Sequence, residues 1–153
     1  MTQKKIEKEF VYEGLGFPVV LINVPMILVR GIWTIDCDLN ILQKATLLAL
    51  AHSAHNLTGN QIHFIRSWLG LTQSKFGDIF GITHVAVVKW EKMANKSSKM
   101  SLNTQREIRM WILDHLLTQD EDFRKAFKII HAKKFSDKVT PLKIDAPIDL
   151  VAI

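Results

Sequence analysis

A single cysteine, Cys37, stands among 153 residues. An internal disulfide framework is excluded, and the chain suits a reducing cytosol. No apolar run is long enough for a bilayer. The longest, FPVVLINVPMILV at residues 17–29, carries Asn23 and Pro25 in its middle. After the lysines of MTQKKIEKEF, Tyr12, Glu13, Gly14 and Gly16 interrupt the chain before a signal-peptide core can form. A soluble, cytoplasmic protein without a membrane partner is therefore expected. Also missing are a Gly-rich phosphate loop, a GxSxG elbow, an HExxH motif, internal repeats and low-complexity segments. No enzyme constellation is legible, and no cofactor is expected.

What is present describes a globular chain. Apolar residues make up 48% and mean hydropathy is +0.10, so a sizeable core can form. Lys and Arg number 20 against 15 Asp and Glu, giving a formal charge of +5 and a pI near 9.4. That balance permits a polyanionic partner such as nucleic acid without demanding one.

Three segments are expected: a β-rich domain with a connecting helix at 1–56, an all-helical domain at 57–118, and a C-terminal helix and extended arm at 119–153. In the first, apolar stretches punctuated by Gly14, Gly16, Pro18, Pro25 and Gly31 predict strands near 9–13, 18–23, 26–30 and 32–36, in a small antiparallel sheet. ILQKATLLALAHSA, residues 41–54, predicts a helix that covers the sheet or connects to the next domain. In the third, a helix is expected at Glu121–Lys133. The tail VTPLKIDAPIDLVAI alternates as a strand, with Leu142, Ile144, Ala146, Ile148 and Leu150 in phase, but two prolines limit it to an edge strand or arm.

The middle segment is the most informative. Thr58 and Gln61 form a capping-box pattern, followed by Ile62, Ile65, Trp68 and Leu69 at helical spacing and a stop at Gly70. Thr72 can cap a short helix with Phe76, Ile79 and Phe80 inward. Gly77 stands where two helices would cross, and Gly81 where a turn needs positive φ. Thr83 can cap the next helix, with Val87 and Trp90 inward. A polar loop, ANKSSK, leads to a helix near 103–117 whose stripe of Ile108, Trp111, Ile112 and Leu116 suits core packing, a dimer interface, or both.

The residues LTGNQIHFIRSWLGLTQSKFGDIFGITHVAVVKWEK resemble the Xre/Cro/CI-type helix-turn-helix family. The likeness extends from the Leu71-Thr72-Gln73 opening to the closing Trp90-Glu91-Lys92, within residues 57–117. It implies an α+β chain whose helical part is a five-helix, lambda-repressor-like DNA-binding domain. Tyr12-Glu13-Gly14 followed by VVLINVPMILV is similar to the small N-terminal domain of MqsA/YgiT-like antitoxins, where flanking CxxC pairs bind zinc. With Cys37 alone, that zinc site cannot be built, so the likeness implies a metal-free N-terminal domain. His52-x-x-His55, His63, Asp36 and Asp38 do not supply a closed ligand set either, and no metal is expected.

A recognition helix presents its N-terminal residues to base edges in the major groove. With Val87 and Trp90 inward, His84, Val85, Val88 and Lys89 face outward and are the expected base-reading set, with Ala86 at its edge. In the antitoxin relatives the Val85 position is typically polar and the Lys89 position basic, so Val85 departs from the pattern. A valine can pack on a thymine methyl, or it can meet another protein. Gln73, Thr83, Lys92, Asn95, Lys96 and Lys99 are the expected phosphate contacts. The resulting expectation is a sequence-specific repressor that binds operator DNA as a homodimer, an antitoxin-like autoregulator with a cognate toxin. A stand-alone bacterial or phage regulator, or a protein–protein adaptor with this fold, is the alternative.

Overall fold

The computed structural model describes residues 2–150. In chain order its elements are β1 (Lys4–Tyr12), β2 (Val19–Val29), β3 (Ile32–Ile35), α1 (Leu39–His52), α2 (Gly59–Trp68), α3 (Gln73–Phe80), α4 (His84–Glu91), α5 (Leu102–Leu116), α6 (Asp120–Ala132), β4 (Leu142–Asp145) and α7 (Ala146–Asp149). The fold class is α+β. Among the described residues no helix is long and apolar enough to cross a membrane. Two compact units form, Met1–Ala49 with Pro141–Ile153, and Leu50–Thr140. The tail thus belongs with the N-terminal strands, whereas residues 119–140 belong with the helices.

In the first unit β2 is the central strand. On one edge it pairs antiparallel with β1, from Lys4↔Ile27 to Tyr12↔Val19. On the other, β4 runs parallel beside Val19–Ile22 and β3 antiparallel beside Met26–Val29. The sheet is mixed rather than antiparallel, because the tail supplies its fourth strand and enters in the direction of β2. The segments 18–23 and 26–30, expected as two strands, are one. Asn23 and Pro25, which suggested a break, lie where β4 has ended and β3 has not begun. Pro25 therefore forfeits no ladder bond on that edge, and its carbonyl accepts from Asp36 N at 2.8 Å. Asn23 adopts φ 51°, and the buried side chains change parity around it: Val19 and Leu21 before, Val24 and Met26 after. Arg30 and Gly31, at φ 50° and 78°, make the two-residue turn into β3. Among the described residues of the tail only Leu142–Asp145 is strand, and residues 151–153 lie outside them. Pro147, in the first turn of α7, ends the alternation and leaves Ile148 68% exposed.

The expected helix at 41–54 is α1. It passes from one unit into the other at Leu50, as a connector does. The helical unit is built from α2 to α6, so residues 57–118 hold four of its helices and α6 the fifth. Thr58 and Gln61 complete the capping box on α2, and Thr72, Thr83 and Ser101 cap α3, α4 and α5 through their hydroxyls. Ile62, Ile65, Phe76, Val87, Ile108 and Ile112 are fully buried. Each contributes about 1.5–3 kcal/mol relative to an exposed side chain.

Two side chains depart from their expected inward positions: Ile79 is 36% exposed and Trp90 is only half-buried. An eight-residue helix has room for one narrow apolar stripe, and Phe76 and Phe80 already fill that of α3. On the α5 stripe Ile108 and Ile112 are core, while Trp111 is 38% exposed.

Candidate nucleic-acid interface

α3 and α4 are joined by Gly81, Ile82 and Thr83. Gly81 closes α3 at φ 65°, and Gly77 lets the turn come back against the helix. A Cβ on Gly77 would stand 2.4 Å from Ile82 O. Thr83 Oγ1 then accepts from Ala86 N at 3.1 Å and starts α4. Gly81 and the threonine cap perform the tasks expected of them, whereas Gly77, expected at a crossing of two helices, lies instead against the backbone of the connecting turn.

α4 presents a polar and apolar face outward. His84 and Lys89 are exposed, Val85 is 73% exposed, and Val88 and Ala86 are half-buried. Val87 is fully buried beneath them. Of the four expected base-reading residues, Val88 is thus the least accessible.

The C-terminal end of α4 is held by a network that sequence reasoning missed. Glu91, its last residue, accepts Arg66 Nη2 at 2.9 Å and Nε at 3.0 Å, a bidentate pair. Their side chains are only 10% and 14% exposed. His63 Nδ1 lies 2.7 Å from the same carboxylate, and Gln73 Nε2 donates to it at 3.3 Å. Arg66 Nη1 also donates to Leu71 O at 3.0 Å. One carboxylate therefore ties α2, the start of α3 and the end of α4. Burial works to raise the Glu91 pKa, but the bonds from Arg66, His63 and Gln73 win, and the carboxyl is held below its ordinary range. Gln73, expected at a phosphate, spends one amide N–H inside the unit.

A second close approach braces the same end. A Cβ on Gly59 would lie 2.3 Å from Trp90 O, and Asn60 N donates to Ala94 O at 2.9 Å. Asn95 Oδ1, on the following loop, accepts Asn60 Nδ2 at 3.0 Å. Ser97 is buried and donates to Asp137 at 2.8 Å, and Asn56 donates to the same carboxylate. Those bonds hold the Asp137 pKa below its usual value. Lys92, Lys96 and Lys99 are exposed along this pinned loop, Lys99 at φ 56°. Thr83, also exposed, retains a hydroxyl proton to donate.

The other missed residue is Arg109, fully buried on α5. It has no carboxylate partner. Its guanidinium donates to Leu50 O and Ser53 O at 2.8 Å, to His55 O at 2.6 Å and to Gln105 Oε1 at 3.2 Å, and it stacks 3.8 Å over the Phe135 ring. The three backbone carbonyls belong to the C-terminal end of α1 and the residues after it, where the helix dipole is negative. Burial pushes its pKa down to about 9, which leaves it charged at neutral pH. The legible signal was Gln105 and Arg109 on the stripe of Ile108 and Ile112: polar residues at core positions, four apart.

His52 and His55 do not converge on a metal. His55 is buried with Nε2 3.2 Å from Gln61 Oε1, and no group of three or more His, Cys, Asp or Glu is placed to hold an ion among the described residues. Comparison with protein-family models, with curated proteins and with solved structures finds no match to this chain.

Proposed function

We propose that the protein is a sequence-specific double-stranded DNA-binding repressor of the Xre/Cro/CI helix-turn-helix type. The observation that carries this reading is the solvent-facing α4, with His84, Val85 and Lys89 outward on a helix clamped at both ends. A rigid helix with an exposed N-terminal half suits major-groove entry. Lys92, Lys96 and Lys99 follow as phosphate contacts, with Thr83 and Asn95. One such helix covers only a few base pairs, so the protein acts as a homodimer on two half-sites. Its layout is that of an antitoxin-like autoregulator, in which the sheet unit or tail binds a cognate toxin. A stand-alone regulator shares every DNA contact and differs only in lacking that partner.

Selection of bound duplexes from a random pool is the direct test. Recovered sites should show two half-sites about one helical turn apart. Lys89→Ala with Lys96→Ala should weaken binding to a recovered site and reduce its salt slope by about two. Unchanged affinity in that variant would refute the assigned face. Val85, 73% exposed, favours a second reading as a protein–protein adaptor. On the DNA reading, replacing thymine by uracil in a recovered site costs about 1 kcal/mol or less per lost methyl contact. The adaptor reading predicts no salt-dependent duplex binding at all.

A further inference from the structure

The helical unit contains a cleft of about 440 Å³ between α3, α5 and α6. Its volume lies within the ordinary range for small-molecule sites. Ile79 from α3, Trp111 from α5 and Phe127 from α6 furnish apolar walls, and all three are more than a third exposed. In a closed helical core these three would face one another; here they face a space.

Two charged groups, Arg106 and Glu107, and the imidazole of His131 line that space. Arg106 is half-buried, and its Nη2 is anchored to Lys133 O at 3.1 Å. Its Nε is buried and has no hydrogen-bond partner. A buried Nε is out of a ligand's reach, so what Arg106 offers the cleft is its charge and the outer N–H groups that the bond to Lys133 O leaves free. Glu107 is exposed, where solvent screens it, so the half-buried Arg106 sets the sign of the site. His131 stacks on Phe127, with ring centroids 4.1 Å apart, and keeps the Phe127 wall in place.

We infer that this cleft binds a small organic anion: an apolar body of one or two rings seated against Trp111 and Phe127, with a carboxylate or sulfonate accepting from Arg106. The site is distinct from the outward face of α4, and its existence does not depend on DNA binding.

The test uses the full chain and a matched pair of probes, 2-naphthoate and the neutral 2-naphthalenemethanol, titrated by calorimetry with chemical-shift mapping. The expected result is at least tenfold preference for naphthoate, with shifts at the Trp111 indole and His131. Arg106→Gln should abolish the preference while leaving the alcohol's affinity unchanged. Arg106→Lys, which keeps the charge and loses the planar fork, should retain part of it and guards against a folding defect in the glutamine variant. Phe127→Ala should weaken both probes together. Equal binding of the two probes overturns the proposal, since it describes an apolar patch only. So does a preference that survives Arg106→Gln. Naphthoate-insensitive dimerisation that is lost in Trp111→Ala would also overturn it, because a second copy then fills the cleft.

Discussion

Arg109 carries the most at the scale of a single residue. A charge removed from water is tolerable only when most of its donors are used, and here four carbonyl oxygens take up the two Nη groups while Nε lacks an acceptor. Arg109→Ala strands those carbonyls beside a cavity and should cost about 3–5 kcal/mol in urea unfolding. Arg109→Lys should recover only a minority of that loss, since an ammonium cannot reproduce the fork. Two histidines, His55 buried and His52 half-buried, add a pH dependence. Burial, followed by the charges of Lys133 and Arg109, lowers the His52 pKa; burial and then Arg109 lower that of His55, against the bond from Gln61. Both groups take up protons more readily when unfolded, so stability is full above the unfolded pKa of about 6.5 and falls as pH drops below it. The Glu91 pair adds a second loss below about pH 4.5, where the unfolded carboxylate protonates first. Urea midpoints measured from pH 8 to 4 should show both steps, and His55→Gln should shrink the first. A flat profile between pH 7.5 and 5.5 would remove the histidines from the account.

At the scale of elements, the α3–α4 pair depends on backbones approaching where a side chain has no room. The Cβ of Gly77→Ala meets a carbonyl oxygen, not the end of a flexible chain. The turn must open, and a loss of about 1–3 kcal/mol is expected from thermal or urea unfolding. The change should also tilt α4, so, on the proposed DNA-binding function, duplex affinity should fall by more than the stability loss explains. Gly59→Ala, against Trp90 O, should act in the same direction from the opposite end of α4. Gly77 was legible as a place needing a small residue, though what crowds it is the turn carbonyl of Ile82, five residues on, and not a crossing helix. Gly59 was not, because its neighbour is more than 30 residues away and no local rule announces it.

At the scale of the whole molecule, the chain is interleaved. The sheet unit takes its fourth strand from beyond the helical unit, while the helical unit is contiguous from Leu50 to Thr140. Deleting Pro141–Ile153 should therefore expose amides of Val19–Ile22 to hydrogen exchange and leave protection in α2 to α5 unchanged. Loss of protection across α2 to α5 would show that the two units unfold as one. The covered edge of β2 also bears on solubility, since an unpaired apolar strand edge invites pairing with other chains. The truncated protein should aggregate at concentrations the full chain tolerates.

Local chemistry settled the parts of this protein that lie within a few residues of their cause. Thr58, Thr72 and Thr83 start helices, Gly81 turns the chain, and Val87 faces inward because spacing and φ preferences act over one or two turns. The α+β class and the connector helix followed from the same short-range rules. Tertiary structure alone decided the partners that are distant in sequence: β4 beside β2, Glu91 between Arg66 and Gln73, Arg109 on the carbonyls after α1. No periodicity encodes these, because a strand pairs equally well in two directions and a charge is buried only where another segment brings its acceptors. The outward valine at 85 stands between the two. Its position along α4 is local, whereas its 73% exposure is set by how α4 packs on the rest of the unit.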